Sequence, residues 1–292
     1  MEPLGTEPAV YLYPRLSPDG SRLAVMLSQG SLTDLWVYDL QRGAKVRVTS
    51  GTSFNSFPVW SPDGRYLVFQ SIGGMLWARS DAAGKPQPLT ESKNLQVPNS
   101  FTPDGTRLVF SELSPQTGSD LRTIPVDGRS GGLRAGEPQV FVKTATVNSW
   151  AILSQDGRWM AYADAPAGVY EVHVRAFPDN GTDVQISNAG GIQPMWSRNG
   201  RELFYRTEDE RIMAVTYAVR GDSFVPEKPR VWCGEQLANT GLALNLDLAP
   251  DGKRFIVLMP AETGVPRLAP GHVMLTVNFF DEVRRRVAGQ AQ

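Results

Sequence analysis

Short apolar runs recur along the chain, and each follows a polar tetrad: LAVML at 23–27 follows SPDG, YLVF at 66–69 follows SPDG, and LVF at 108–110 follows TPDG. Six tetrads can be placed, at 17–20, 61–64, 102–105, 154–157, 197–200 and 249–252 (SPDG, SPDG, TPDG, SQDG, SRNG, APDG). Their starts are 44, 41, 52, 43 and 52 residues apart, close to the ~40–50 residues of a four-stranded repeat. The residue before each tetrad is Leu16, Trp60, Phe101, Leu153, Trp196 or Leu248. Three positions past each glycine stand Leu23, Leu67, Leu108, Met160, Leu203 and Phe255, and two further on Val25, Phe69, Phe110, Tyr162, Tyr205 and Val257. The column between them (Ala24, Val68, Val109, Ala161, Phe204, Ile256) is also apolar. A strand apolar on both faces is buried on both faces, as stacked sheets require.

The tetrad itself predicts a hairpin turn. Ser or Thr first, Pro second and Gly fourth suit a type I turn closed by a left-handed glycine, with the Asp side chain bonding nearby N–H groups. A third strand follows in each repeat, as in LWVYDL (35–40), LRTIPV (121–126) and HVMLTVNF (272–279), and a fourth in five of them, as in KVRVTS (45–50) and PRVWC (229–233). The sixth repeat lacks its own fourth strand, and MEPLGTEP at the start resembles PQPLTES at 86–92, so residues 2–5 are predicted to supply it. No helical period of useful length precedes about residue 279. The expected fold is all-β: a six-bladed β-propeller of four-stranded antiparallel blades over residues 1–280, one domain, its ring closed by the N-terminal strand, with a short tail at 281–292.

Composition narrows the function classes. The 292 residues carry 29 basic and 30 acidic side chains, a net charge of −1, which predicts neither a nucleic-acid partner nor an anionic membrane surface. The single cysteine, Cys233, forms no intrachain disulfide and builds no zinc site. No apolar run reaches the ~18–20 residues of a membrane helix. The start MEPLGTEPAV encodes no signal peptide, which leaves a cytoplasmic location open.

SPDG followed by a short apolar strand, repeated along residues 13–280, resembles the WD40-like (PD40) repeat of TolB-type β-propellers. The runs YEVHVRAFPDNGTDVQIS, GGIQPMWSRNGRELFY, RIMAVTY, APDGKRFIV and VMLTVNFFDEVRRRV are further similar to one subgroup, the C-terminal extracytoplasmic propellers of acidobacterial-type serine/threonine protein kinases. That subgroup usually ends in a segment like vvlNWfeeL; here Phe279 stands where Trp is usual. The resemblance implies a sensor or interaction domain, extracytoplasmic if joined to a membrane kinase. The chain itself carries no Gly-rich phosphate loop, H-R-D loop or D-F-G, so kinase chemistry is not expected in it.

The six turn positions Asp19, Asp63, Asp104, Asp156, Asn199 and Asp251 form a repeated carboxylate column, but each is expected to cap its own hairpin, and Asn199 keeps that bonding without the charge. Gly128-Arg129-Ser130-Gly131-Gly132 fits the G-x-S-x-G pattern, yet it lies in a polar loop with no helix expected after it, and His173 and His272 fall inside strand patterns of other repeats. Arg284, Arg285 and Arg286 read as a solvated tail. No catalytic residue, metal site or cofactor is predicted.

The stronger expectation is a ligand site at the channel mouth, where the inner strands begin. Six residues before each tetrad come Tyr11, Asn55, Gln96, Asn148, Gly191 and Ala243; four before come Tyr13, Phe57, Pro98, Trp150, Gln193 and Asn245. The predicted site is Tyr11, Tyr13, Asn55, Phe57, Gln96, Asn148, Trp150, Gln193 and Asn245, a set of amides and aromatics without a carboxylate or cation. Such groups bond a neutral ligand or a peptide backbone and stack on apolar parts. The expected role is therefore non-catalytic binding of a protein or small neutral ligand by a monomer. The alternatives are an enzyme (lyase, isomerase or hydrolase) at the channel mouth and a scaffold subunit of an envelope assembly.

Overall fold

A computed structural model of the protein describes residues 2–3, 9–29, 32–50, 54–114, 118–128, 131–143, 149–179, 181–233, 237–260 and 271–276. The described residues contain no helix and form six antiparallel sheets in the manner of a β-propeller. In each, the inner strand that leads into a tetrad pairs with a second strand, the second with a third, and the third with a short outer strand. The first sheet is Val10–Leu16, Arg22–Gln29, Leu32–Asp39 and Lys45–Arg47. The third and fifth sheets carry one more short strand each, Arg134–Ala135 and Ser223–Pro226, because their third strands (Gly118–Asp127 and Ile212–Arg220) run on and fold back. In the last sheet, Leu246–Leu248, Phe255–Pro260 and Gly271–Thr276 are joined at the edge by Glu2–Pro3, with Glu2 opposite Leu275 and Pro3 opposite Met274.

The triple apolar column explains the stacking. In the second sheet, Leu67 and Phe69 pack toward the first sheet with Ala24, Met26 and Leu35, while Tyr66 and Val68 pack toward the third with Leu108 and Phe110. The same alternation holds around the molecule, so one apolar cluster fills each junction between consecutive sheets. A further cluster joins Leu23 and Val25 of the first sheet to Ala249, Ile256 and Leu258 of the last. Each fully buried Leu or Phe in these columns contributes about 1.5–3 kcal/mol. Two tryptophans bond sheet to sheet as well: Trp60 Nε1 donates to the Arg15 carbonyl at 2.9 Å and Trp196 Nε1 to the Ile152 carbonyl at 3.0 Å.

The tetrads are turns. In all six the glycine is left-handed (φ +66° to +73°) and its N–H donates to the first residue of the tetrad at 2.8–3.1 Å. The aspartates are exposed and cap locally: Asp19 accepts from Ser17 Oγ, Ser21 N and Ser21 Oγ, and Asn199 accepts from Arg201 N at 2.9 Å. The Ser17 hydroxyl, foremost, holds the Asp19 carboxyl down at about 2. The prolines have a second task. A Cβ added at Gly105 or Gly157 would lie 3.6 Å from Pro62 or Pro103 of the preceding tetrad, and at Gly20 it would lie 3.0 Å from Pro250 of the last. Where Gln155 replaces proline, no described atom lies within 4 Å of that point at Gly200.

Candidate functional site

The inner strands are interrupted at one repeated place. Pairing with the second strand skips residues 13–14, 57–58, 150–151 and 193–194, and skips Asn99 in the third sheet. At the first four of these bulges Tyr13, Phe57, Trp150 and Gln193 hold φ of +54°, +53°, +55° and +55°. A bulky residue in the left-handed region costs of order 1–3 kcal/mol and persists only where its surroundings enforce it. In the third sheet Pro98, whose ring fixes φ near −65°, occupies the equivalent position.

Three of the four left-handed residues meet in one cavity. Tyr13, Phe57 and Trp150 line a space of about 250 Å³ at the end where the inner strands begin. Tyr13 and Phe57 lie ring to ring at 4.1 Å, and Trp150 meets Tyr170 edge-on at 5.2 Å. Leu95, Leu113 and Leu242 complete an apolar wall, while Asn99, Ser111, Ser119 and Ser149 supply uncharged polar groups. Burial pushes the Tyr13 hydroxyl up to about 12 and also raises that of Tyr170, so both stay protonated hydrogen-bond donors at neutral pH. Around the cavity, Leu32, Phe54, Ile72, Leu95, Leu113 and Leu242 are exposed at loops and strand ends of this same face.

The rest of the predicted set lies elsewhere. Tyr11 is buried in the apolar cluster between the first and last sheets. Asn55 is buried between the first two sheets, exchanging backbone bonds with the Thr33 hydroxyl and accepting from Ser71 Oγ at 3.3 Å. Gln96 bonds Thr90 and Glu112. Gln193 reaches the carbonyls of Leu242 and Ala243, and Asn245 donates to Glu210 and the Ala238 carbonyl, both at 2.8 Å. These amides are engaged by protein partners and do not line the aromatic cavity. Asn148 lies outside the described residues.

Two charged groups were missing from the predicted columns. Arg15 and Asp247 stand two residues before their tetrads, in the first and last sheets, with Arg15 Nη1 3.6 Å from Asp247 Oδ1. Asp247 Oδ2 accepts the Leu16 N–H at 2.7 Å, and burial raises its carboxyl above the usual range. Arg15, Val59 and Asn99 line both the aromatic cavity and a second space of about 370 Å³ toward the tetrad turns, which places them at the throat between the two. Their signal in the sequence was an isolated basic and an isolated acidic residue in an otherwise uncharged column (Arg15, Val59, Ser100, Ile152, Met195, Asp247).

Two further ionisable clusters are held by packing. Arg206 and Glu210 form a buried ion pair, with Glu210 itself left-handed at φ +67°, and Arg206 Nη2 donates to the Gly241 carbonyl at 2.6 Å, pinning the loop that carries Leu242. His173 contacts Asp183 at 3.2 Å beside Arg175 and Tyr162, a structural role as expected from its strand position. Burial opposes ionisation of Asp183, yet these three partners hold its carboxyl down at about 2. Ser130 lies outside the described residues, as do residues 284–286, and the His272 side chain is not described; residues 131–143, which follow Ser130, contain no helix.

The repeat has counterparts in known proteins. Residues 2–112 match the family model of the TolB beta propeller domain (PD40). Among curated relatives, the peptidase YuxL of Bacillus subtilis is 29% identical over 108 residues, and Atu1656 of Agrobacterium fabrum is 25% identical over 177 residues. These matches cover 34% and 59% of this chain, and the chain spans only 16% and 56% of the length of those proteins. Among solved structures, a protein assigned as TolB from Agrobacterium tumefaciens aligns over 94% of this chain and 93% of its own with a TM-score of 0.62 at 18% identity. An oligogalacturonate lyase in complex with manganese aligns over 89% and 73% with a TM-score of 0.57 at 14% identity. At these identities the likeness is one of fold.

Proposed function

We propose, for a chain that carries a TolB-type β-propeller domain, a non-catalytic binding role in which the aromatic cavity and the apolar face around it receive a ligand or a segment of a partner protein. One observation carries this reading: Tyr13, Phe57 and Trp150 occupy the same left-handed position in three sheets and converge on one cavity. Backbone strain held at a concave, largely apolar site is a mark of recognition surfaces. Among the described lining residues the ionisable groups are Tyr13, Tyr170 and Arg15. The two tyrosines are shifted away from neutrality, which favours binding over acid–base chemistry.

The six sheets are read as six blades of one domain closed into a ring. Supporting closure are the Glu2–Pro3 edge strand, the Leu16–Asp247 bond, the bond from Tyr13 N to the Leu244 carbonyl at 2.9 Å, and the Gly20–Pro250 contact. Deleting residues 1–6 then lowers the melting temperature, and an unchanged value overturns closure. A sensor or interaction role beside a bacterial serine/threonine kinase, outside the cytoplasm, rests on the sequence resemblance of the later repeats alone. A lyase-like activity is the competing reading, favoured by the fold neighbour.

Panning displayed random heptapeptides against the protein tests the binding role. Selected peptides lose at least about tenfold in affinity for a Phe57→Ala/Trp150→Ala variant of unchanged melting temperature, as expected for the loss of two aromatic anchors. Equal affinity for the variant removes the site.

A further inference from the structure

We infer that the aromatic cavity selects ligands presenting a carboxylate at the end of an apolar segment, with Arg15 as the counter-ion at its floor. The inference rests on the binding role proposed for this cavity and names the chemistry of what enters. Arg15 is the one fixed positive charge among the described lining residues, and everything else there is apolar or uncharged. Its guanidinium carries five N–H donors, while the one polar partner described for it, Asp247, stands at 3.6 Å, too far for a good hydrogen bond. Asp247 is itself engaged by the Leu16 N–H.

The backbone of Arg15 is fixed. It follows the bulge at 13–14, and its carbonyl accepts the Trp60 indole N–H, so the side chain sits at the throat with 18% of its surface exposed. A carboxylate arriving past the Tyr13–Phe57 ring pair and Trp150 leaves water at the point where a charge-assisted, bidentate contact becomes available. The low-dielectric walls strengthen that contact. A neutral ligand of the same shape gains the ring contacts only. Asp247 competes for the same guanidinium, so neutralising it frees Arg15 for the ligand.

Two sources offer this chemistry, a free aromatic acid and the C-terminus of a peptide. The probes are 3-phenylpropionate with 3-phenylpropionamide, and acetyl-Ala-Ala-Phe with its C-terminal amide. Each is titrated by calorimetry at fixed ionic strength into the full chain. The acid of at least one pair binds about tenfold or more tighter than its amide. Arg15→Gln removes that preference without weakening the amide, and Asp247→Asn increases it several-fold. Because Arg15→Gln leaves a buried carboxylate without its counter-ion, the double variant Arg15→Gln/Asp247→Asn is measured alongside, with a melting curve to show that it folds. The member of the pair that shows the preference identifies the source.

Equal binding of acid and amide, lost in Phe57→Ala/Trp150→Ala, overturns the carboxylate inference and leaves the cavity as a binding site. An acid preference that survives in the folded double variant overturns it too. If no probe binds at all, the binding role falls and the inference with it.

Discussion

The two ends of the inner strands solve different problems with the same repeat. At the tetrad end the side chains look reactive and the chemistry is spent locally: the aspartates cap turns and the prolines lean on neighbouring glycines. At the other end Tyr, Phe and Trp sit in strained backbone and open onto a cavity. Strain at the tetrad is borne by glycine, for which the left-handed region is inexpensive, whereas at the mouth it is borne by residues for which it is costly. The difference separates a scaffold end from the end proposed for recognition.

Four tests break or sharpen that contrast. The largest is Arg206→Ala, which leaves Glu210 buried without its partner and costs about 3–5 kcal/mol; it reads as a steep fall in melting temperature and, because the Gly241 bond is lost, as weaker binding at the mouth. Next is a paired test at the tetrads. Gly20→Ala meets both a left-handed φ and the Pro250 ring and costs about 2–4 kcal/mol, while Gly200→Ala meets the φ alone and costs about 1–2 kcal/mol. Denaturant midpoints showing equal losses would remove the proline's inter-sheet role.

At the recognition end, Phe57→Asn exchanges ring contacts for a residue that tolerates φ +53°, so stability moves by less than about 1 kcal/mol while peptide binding falls at least tenfold. A stability loss as large as that of a core truncation would make Phe57 a packing residue. The smallest effect is Asp19→Asn. With the folded carboxyl held near 2 and an unfolded value near 3.9, Asp19 stabilises above about pH 4, and that contribution fades as pH falls through 2. The variant is therefore slightly less stable at pH 7, and its melting temperature falls less between pH 4 and 2 than that of the wild type.

Most of the architecture was legible because it is written in columns. Leu67, Val68 and Phe69 read as a strand buried on both faces, and the tetrads read as turns, and both readings hold. The short return strand at Arg134–Ala135 was not legible, since two residues carry no periodic signal. At the site, Tyr13, Phe57, Pro98 and Trp150 of the column four before the tetrad line the cavity, whereas Gln193 and Asn245 bond loops. Of the column six before it, Ala243 lines the cavity, whereas Tyr11, Asn55 and Gln96 are packed and hydrogen-bonded between sheets. What reorients the next position but one is a left-handed turn of the chain, and Tyr, Phe and Trp give no local warning of it. Proline follows at 14, 58 and 194, and the residue before proline ordinarily prefers extended backbone. Arg15 and Asp247 escaped for the opposite reason: they break their column, and a search for likeness between repeats passes over single exceptions.

The left-handed position also has a modular consequence. Tyr13, Phe57, Pro98 and Trp150 reach the cavity from four consecutive sheets, while the tetrad turns sit at the far end of the same strands. A side chain at one of these positions can therefore be changed without touching the tetrad of its own sheet, although Tyr13 also bonds the Leu244 carbonyl of the last sheet through its backbone. Tyr, Phe, Pro, Trp and Gln at equivalent places in one chain are what such piecemeal editing would leave behind.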